Sequence, residues 1–588
     1  MTALPHNDTS VMEEKEAAQT THLEDVAESS TLAYEQAEME PRMNLQTCLA
    51  FLALASQYNA YVLTLLIPST TLSYINADLG PNSNYPWITV SWTLCASFLI
   101  SVGGRLSDIF GRRYFMICGA TISFIGTIVG ATAQSINQMI ASGVLFGLGS
   151  GFQEMGYAAC QEIVPNKYRM WAVGLFDFLG LIAQTGPLVA YSFIAKTEIG
   201  WRGAYWYMCA FHGFFGIVMF FTYYPPTFHT KHKHDGKTKT QLIKEIDYIG
   251  LLLFIAGCVL FLLGINYGGR QYAWTSAHVI APMVVGVLCL IALGFYEVYA
   301  DLPLPIMPPK IFRKWREVTM IYVICFVGGM LYYSLNVIWP RQSQLLFTGP
   351  NKIIQGLYAE LIPLGSVTSG LILAFVCARI GHERWQLVFL MTLETALIGS
   401  LASLGVDDRI QAIATIPFLS ISISLPQLMS FAMISLGLGD EFRDDIGCAV
   451  GLAGTFRLLG GSIATAIYTA ITNNTFASHL PGEVSRAAPN FTAMTALLKA
   501  AAANTAAAYK AVPGITEEVV AATQMAVKYA YVEAYRTTYL SALGFGGLAI
   551  GAALLTKSTD RGMKNNKRIV VLENEKGKSG EEVLSGKA

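Results

Sequence analysis

Charge is what this 588-residue chain has least of: 13% of its residues are Asp, Glu, Lys or Arg, about half the share of an ordinary soluble domain. Its 39 basic and 40 acidic residues leave a net charge of −1, so it carries no electrostatic footprint for nucleic acid, and none is expected as a partner. H-E-x-x-H, G-x-S-x-G and Walker sequences are all missing, which argues against a membrane hydrolase and against an ATP-driven pump. The chain is therefore not read as an enzyme, and no cofactor is expected. The ten cysteines fall in or at the edges of apolar runs; they make neither a disulfide framework nor a metal spacing, and read as small buried apolar residues. Residues 1–44, with "EEKEAAQTTHLEDVAE", lack the basic start and short apolar core of a signal peptide. They are polar and acidic, and are expected to be a disordered tail.

What the chain has in abundance is apolar length. Hydrophobic residues make up 53%, and runs of about twenty recur, each long enough to cross a bilayer of about 30 Å as a helix. The predicted spans are 47–70, 86–104, 114–133, 138–158, 170–194, 203–224, 247–267, 278–299, 317–339, 357–377, 386–404, 411–436, 446–470 and 535–556, fourteen in all. They make the chain an all-α integral membrane protein, with lipid as its surroundings. Basic residues such as Arg112, Arg113, Lys167, Arg169, Lys231, Lys233, Arg313 and Arg384 gather in alternate short loops, which places those loops and both termini in the cytoplasm. The long segment 472–534 is then external, and its Asn473 and Asn490 lie in N-x-T sequons suited to a glycan.

The tight turn "GRLSDIFGRR", Gly104 to Arg113, packs charge between the second and third spans. It resembles the signature loop of the major facilitator superfamily, with Gly104, Leu106, Asp108, Gly111, Arg112 and Arg113 in the matching places. Glycines let helix ends approach, and Asp108 beside Arg112 suits a charge-assisted clasp. The resemblance implies a conformational latch completed by an acid at the inner end of the fourth span, where Glu162 stands with Arg169 after it. A weaker echo, "ARIGHERW" at Ala378–Trp385, keeps Gly381 and Arg384 but has no aspartate.

The likeness implies two six-helix bundles, 45–225 and 301–556, joined by a basic linker (226–246) and an inserted helix pair (247–300), with a cytoplasmic tail from 557 to 588. Within the superfamily, "LSYINADLGPNSNYPWITVSW", "GFQEMGYAACQEIVPNKYR", "WRGAYWYM", "YPPTF" and "EIDYIG" are similar to the fungal fourteen-helix group that includes trichothecene efflux pumps and siderophore transporters.

Ionisable groups at a bilayer centre cost about 2.5–3.5 kcal/mol each, so each needs an explanation. Glu154 and Asp177 lie equally far either side of the turn near Pro165, at similar depth. Two neighbouring carboxylates suit a proton carrier; pairing with an arginine or capping a helix is the plainer reading. Arg457, in the middle of its span, is expected to have an ion-pair partner. Glu394 and His212 read as packing residues, and Gly143, Gly147 and Gly151 as a close helix contact. By resemblance the first and ninth spans wall the substrate cavity with Tyr58, Asn59, Tyr61, Tyr332, Tyr333 and Asn336, a surface suited to a bulky, oxygenated, mostly apolar molecule. The antiporter pattern of the fifth span survives only as Gly186-Pro187, and the family's arginine in the fourth span is replaced by Gly143.

Two functions compete. One is a monomeric, proton-coupled exporter of small apolar secondary metabolites at the plasma membrane, with vacuolar and vesicle membranes as alternatives. The other is proton-coupled uptake of ferric siderophores, for which few cavity cations are available.

Overall fold

A computed structural model describes residues 44–226 and 238–559, apart from 270, 301, 440, 441, 443, 444 and 490, together with 570 and 572. Residues 1–43, Lys231, Lys233, Arg270, Asn490 and most of the C-terminal tail lie outside that set. The described chain is helical, with two isolated bridges, Ile246 to Leu304 and Gly268 to Tyr272, and no strand.

The elements that position the site are α1 (Leu45–Leu79), α2 (Trp87–Phe110), α3 (Arg112–Ala131), α4 (Ile136–Gln153), α5 (Gly156–Ile163), α6 (Arg169–Phe178), α7 (Gly186–Lys196) and α8 (Arg202–Thr222). An antiparallel pair comes next, α9 (Tyr248–Tyr267) and α10 (Ala277–Tyr299). The second half holds α11 (Met320–Ser343), α12 (Lys352–Ala359), α13 (Leu361–Ile372), α14 (Glu383–Leu401), α15 (Arg409–Leu438), α16 (Ile446–Ala487), α17 (Met494–Ala503) and α18 (Glu517–Leu555).

Twelve helices among the described residues are long and apolar enough to cross a membrane, two fewer than the fourteen spans expected. The spans at 138–158 and 386–404 are helical but less apolar than the others. Glycine, serine and glutamine dilute α4, which stops at Gln153 before α5 begins; Glu383, Arg384, Gln386 and Glu394 dilute α14.

The expected external loop at 472–534 is mostly helix. α16 runs 42 residues to Ala487 and α18 begins at Glu517, with α17 between them. At 1.5 Å per residue α16 is about 63 Å long, twice the apolar thickness it needs to cross. Apolarity marks where a span leaves lipid; the alanine-rich sequence beyond it keeps the helix going. Asn473 is exposed, but on the side of α16 rather than in a loop.

The two halves meet along two seams. On one, α2 packs against α16; on the other, α6 packs against α13. The inserted pair covers the first: α9 lies across both α2 and α16, with Phe254, Cys258 and Leu262 packed among Val90, Leu94, Val102 and Leu459. One continuous core runs through both halves, from Leu54, Tyr157 and Phe176 to Trp339, Phe431 and Leu452.

Candidate functional site

Arg457 sits at the centre of the molecule, 7% exposed, just under one turn after Gly454 on α16. Among the described residues no carboxylate reaches salt-bridge distance of it, so the expected ion pair is replaced by aromatic faces. Its guanidinium carbon lies 5.0 Å from the ring centre of Tyr332, 5.5 Å from Tyr333 and 6.0 Å from Phe431. Ring quadrupoles hold a cation where water cannot reach.

The rings around it join the halves. The hydroxyls of Tyr61 on α1 and Tyr333 on α11 are 3.0 Å apart. Tyr58 stacks on Tyr61 and meets Tyr157 edge-on at 4.6 Å, and Tyr157 stacks on Phe431 at 5.0 Å. Thus Tyr58 and Tyr332, named as cavity walls, belong to a filled aromatic cluster.

Both expected carboxylates face this cluster. Tyr157 donates to Asp177 Oδ1 at 3.0 Å, and Asp177 Oδ2 has no partner among the described residues. Glu154 is buried beside Gly454, where an added Cβ would lie 3.1 Å from its Oε1. Among the described residues neither of its oxygens finds a partner at hydrogen-bonding geometry, although Tyr61 is a polar neighbour. Both acids border the cluster that holds Arg457: Glu154 lies against Gly454, just under one turn before that arginine, and Asp177 is held by Tyr157, which stacks on Phe431. Each acid adjoins a helix interruption: Glu154 caps the end of α4, and Asp177 is the penultimate residue of α6. A small cavity, about 10 Å³ and fit for a single water, runs from Glu154, Tyr157 and Phe431 to Val450, Gly451 and Gly447.

The two asparagines are used differently. Asn59 donates to Ala55 O and Leu179 O and accepts from Ala183 N, so it braces the gap after α6. Asn336 turns back onto Tyr332 O of its own helix. Glu394 is buried on α14, and His212 pairs with Met208 O at 2.9 Å.

At one end of the bundle Arg112 is held by two acids. Its Nε donates to Glu162 Oε2 at 2.7 Å, and its Nη2 donates to both Glu162 Oε1 and Asp108 Oδ1, the latter at 2.8 Å. Asp108 then crosses to the other half: its Oδ2 accepts from Cys448 N at 2.8 Å, in the first turn of α16. Helix N-termini present unpaired N–H groups and partial positive charge, so a carboxylate there is stabilised twice.

Glycine makes the approach close enough. A Cβ on Gly104 would lie 2.5 Å from Gly447 O, and one on Gly447 would lie 2.2 Å from Asp108 Oδ1. Gly111 turns the loop at φ +96°. Arg113 donates to Phe220 O near the end of α8 and lies 3.9 Å over the Tyr224 ring. Arg169 donates to Ser435 O on α15 at 3.3 Å.

Sequence reasoning missed the rest of this seam. Arg105 pairs with Asp445 at 2.5 Å, Ser435 donates to Gln161 at 2.6 Å, and Thr455 meets Ser101 and Ser97 O. The acidic run "DEFRDD" just before a predicted span was the available signal, since acids favour helix starts. At the opposite end Tyr74 donates to Gln355 at 2.8 Å and Gln344 to the Tyr191 hydroxyl at 2.6 Å. Both ends are therefore tied shut around the central cluster.

The profile of the fungal trichothecene efflux pump family (TRI12) matches residues 9–588. Among curated relatives, the trichothecene efflux pump TRI12 of Fusarium sporotrichioides is 27% identical over 87% of this chain and 86% of its own length. The MFS-type transporter prx5 of Penicillium rubens is 29% identical over 90% of this chain and 94% of its own. Among solved structures, the human organic anion transporter MFSD10 overlays at a TM-score of 0.49 and 12% identity, over 85% of this chain and 98% of that one. With membrane-length helices throughout and a transporter family spanning nearly its whole length, the chain is a multi-pass major facilitator superfamily transporter and belongs to the fungal trichothecene efflux pump family.

Proposed function

We propose that the protein exports small, mostly apolar, oxygenated secondary metabolites in exchange for protons, as a monomer in the plasma membrane. The observation that carries this reading is that two buried carboxylates, Glu154 and Asp177, each beside a helix interruption, border the aromatic cluster that holds the Arg457 guanidinium. With all three charged, the site is one negative charge over, and a single proton neutralises it. Interrupted helices at the midplane are where secondary transporters place coupling ions. A filled aromatic cluster with few charges suits a ligand that brings its own apolar surface. A membrane potential of about 100 mV supplies about 2.3 kcal/mol per proton, and a unit of pH about 1.4 kcal/mol more. Together these sustain a gradient of several hundredfold for a neutral substrate, enough for self-protection from a toxin.

In this reading the end bearing Asp108, Arg112 and Glu162 faces the cytoplasm and acts as a gate, consistent with the basic loops around it. The test is lumenal pH in proteoliposomes of the purified protein, with trichothecenes and ferric siderophores added outside one at a time. Substrate-dependent alkalinisation means protons leave as substrate enters, which is antiport. Acidification means both enter together, and uptake of the siderophore type replaces export. A Glu154→Gln variant is expected to abolish the pH signal; an unchanged signal removes Glu154 from coupling.

A further inference from the structure

The side chain of Gln427 on α15 is 1% exposed, and neither its Nε2 nor its Oε1 has a hydrogen-bond partner among the described residues. A primary amide offers two donor hydrogens and two acceptor lone pairs, and burying all of them unpaired is costly. Leucine or methionine would fill a similar volume without that cost. The space for the amide is made by a neighbour. An added Cβ on Gly328 of α11 would lie 2.9 Å from Gln427 Nε2 and 3.2 Å from Cδ.

The next residue, Gly329, lies against the backbone of Arg457, with Arg457 O at 2.0 Å from its Cβ position. Two adjacent glycines thus bring the Gln427 amide and the helix turn of Arg457 to one stretch of α11. Phe431, one turn beyond Gln427, carries the Arg457 guanidinium over its ring. Among the described residues Arg457 Nε also lacks a partner. Donors and acceptors without partners therefore converge at the edge of the aromatic cluster, on the side of the C-terminal half.

We propose that Gln427 is a specificity-determining residue that binds an oxygen substituent of the transported molecule, a hydroxyl, ester carbonyl or epoxide, with Arg457 as the adjacent donor. The amide both gives and accepts hydrogen bonds, so it reads the oxygen whichever role that group takes. The aromatic cluster takes up the apolar skeleton. This inference rests on the reading of the centre as the transport site.

The experiment compares the unaltered protein with Gln427→Leu in proteoliposomes, using a hydroxylated trichothecene and the same skeleton without the hydroxyl. Gln427→Leu is expected to raise KM for the hydroxylated compound about tenfold, the size of one lost hydrogen bond to a buried partner, and to leave KM for the deoxygenated one unchanged. An unchanged KM for the hydroxylated compound in Gln427→Leu overturns the inference, and a higher melting temperature alongside it makes the amide a water-held structural group. Tyr332→Ala runs in parallel. If it shifts KM while Gln427→Leu does not, the oxygen subsite falls and the central site stands; if neither variant shifts KM, the central site falls as well. Gln427→Met, closer in length, answers the same question should the leucine variant fail to reconstitute. Transport of neither compound by the unaltered protein overturns the inference together with the substrate class beneath it.

Discussion

Asp108 shows how much one side chain does at the seam. One oxygen holds Arg112 within its own half, and the other accepts from the first turn of α16 in the opposite half. Asparagine keeps an acceptor but loses the charge. That removes about 1–2 kcal/mol of charge-assisted bonding and helix-terminus attraction, or about tenfold in the population closed at this end. Asp108→Asn is expected to slow transport while leaving membrane insertion intact; normal transport rates in reconstituted protein would count against the gate. Gly447→Ala makes the same point without touching charge, since its Cβ would press on Asp108 and Arg112. Transport should fall in it too, with surface expression as the control. Gly104, Asp108, Arg112 and Glu162 were legible in the sequence because their spacing is a motif. The acceptor's partner was not, because it is a backbone N–H 340 residues away and leaves no side-chain signature.

At the scale of elements, the spans 138–158 and 170–194 read as unbroken runs, whereas the structure interrupts both. α4 ends at Gln153, and a short turn, Leu181–Gln184, separates α6 from α7. The second interruption depends on Asn59 of α1, which holds Leu179 O and Ala183 N from outside the segment. Hydropathy of the broken segment cannot reveal a brace that belongs to another helix. The same physics hid the course of 472–534: apolarity dates the exit from lipid, and helix propensity decides whether the helix continues beyond it. Gly186-Pro187 was the visible part, since proline fits the first turn of α7. Asn59→Ala is expected to cost about 1 kcal/mol, since it takes a side-chain donor from Leu179 O and one of the two acceptors of Ala183 N, which also donates to Gly180 O, lowering the melting temperature in detergent. An unchanged melting temperature would show that the break holds itself. If the break positions Asp177, the pH signal should fall further than the stability loss accounts for.

Across the whole molecule the two ends oppose one another. Alternating access lets one half rock against the other around a central site, so the ties at either end cannot all persist in any open state. At the latch end they include Asp108 to Cys448 N and Arg105 to Asp445. At the other they are Tyr74 to Gln355 and Tyr191 to Gln344. Among the described residues the inserted pair packs on the α2–α16 seam, so the halves hinge on an asymmetric support. Removing a tie weakens one closed end and favours opening there, by an amount set by the bond lost. Arg105→Ala, which loses a charged pair with little exposure on the arginine side, should shift the population toward opening at the latch end by about tenfold or more. Tyr191→Phe, which loses one neutral hydrogen bond worth about 1 kcal/mol, should shift it the other way by about fivefold. Distances between spin labels on the two halves, measured at each end, read both shifts directly. Opposite signs are required by a single rocking motion about Arg457 and its rings, and shifts of the same sign would mean that the halves loosen as a whole instead of exchanging one gate for the other.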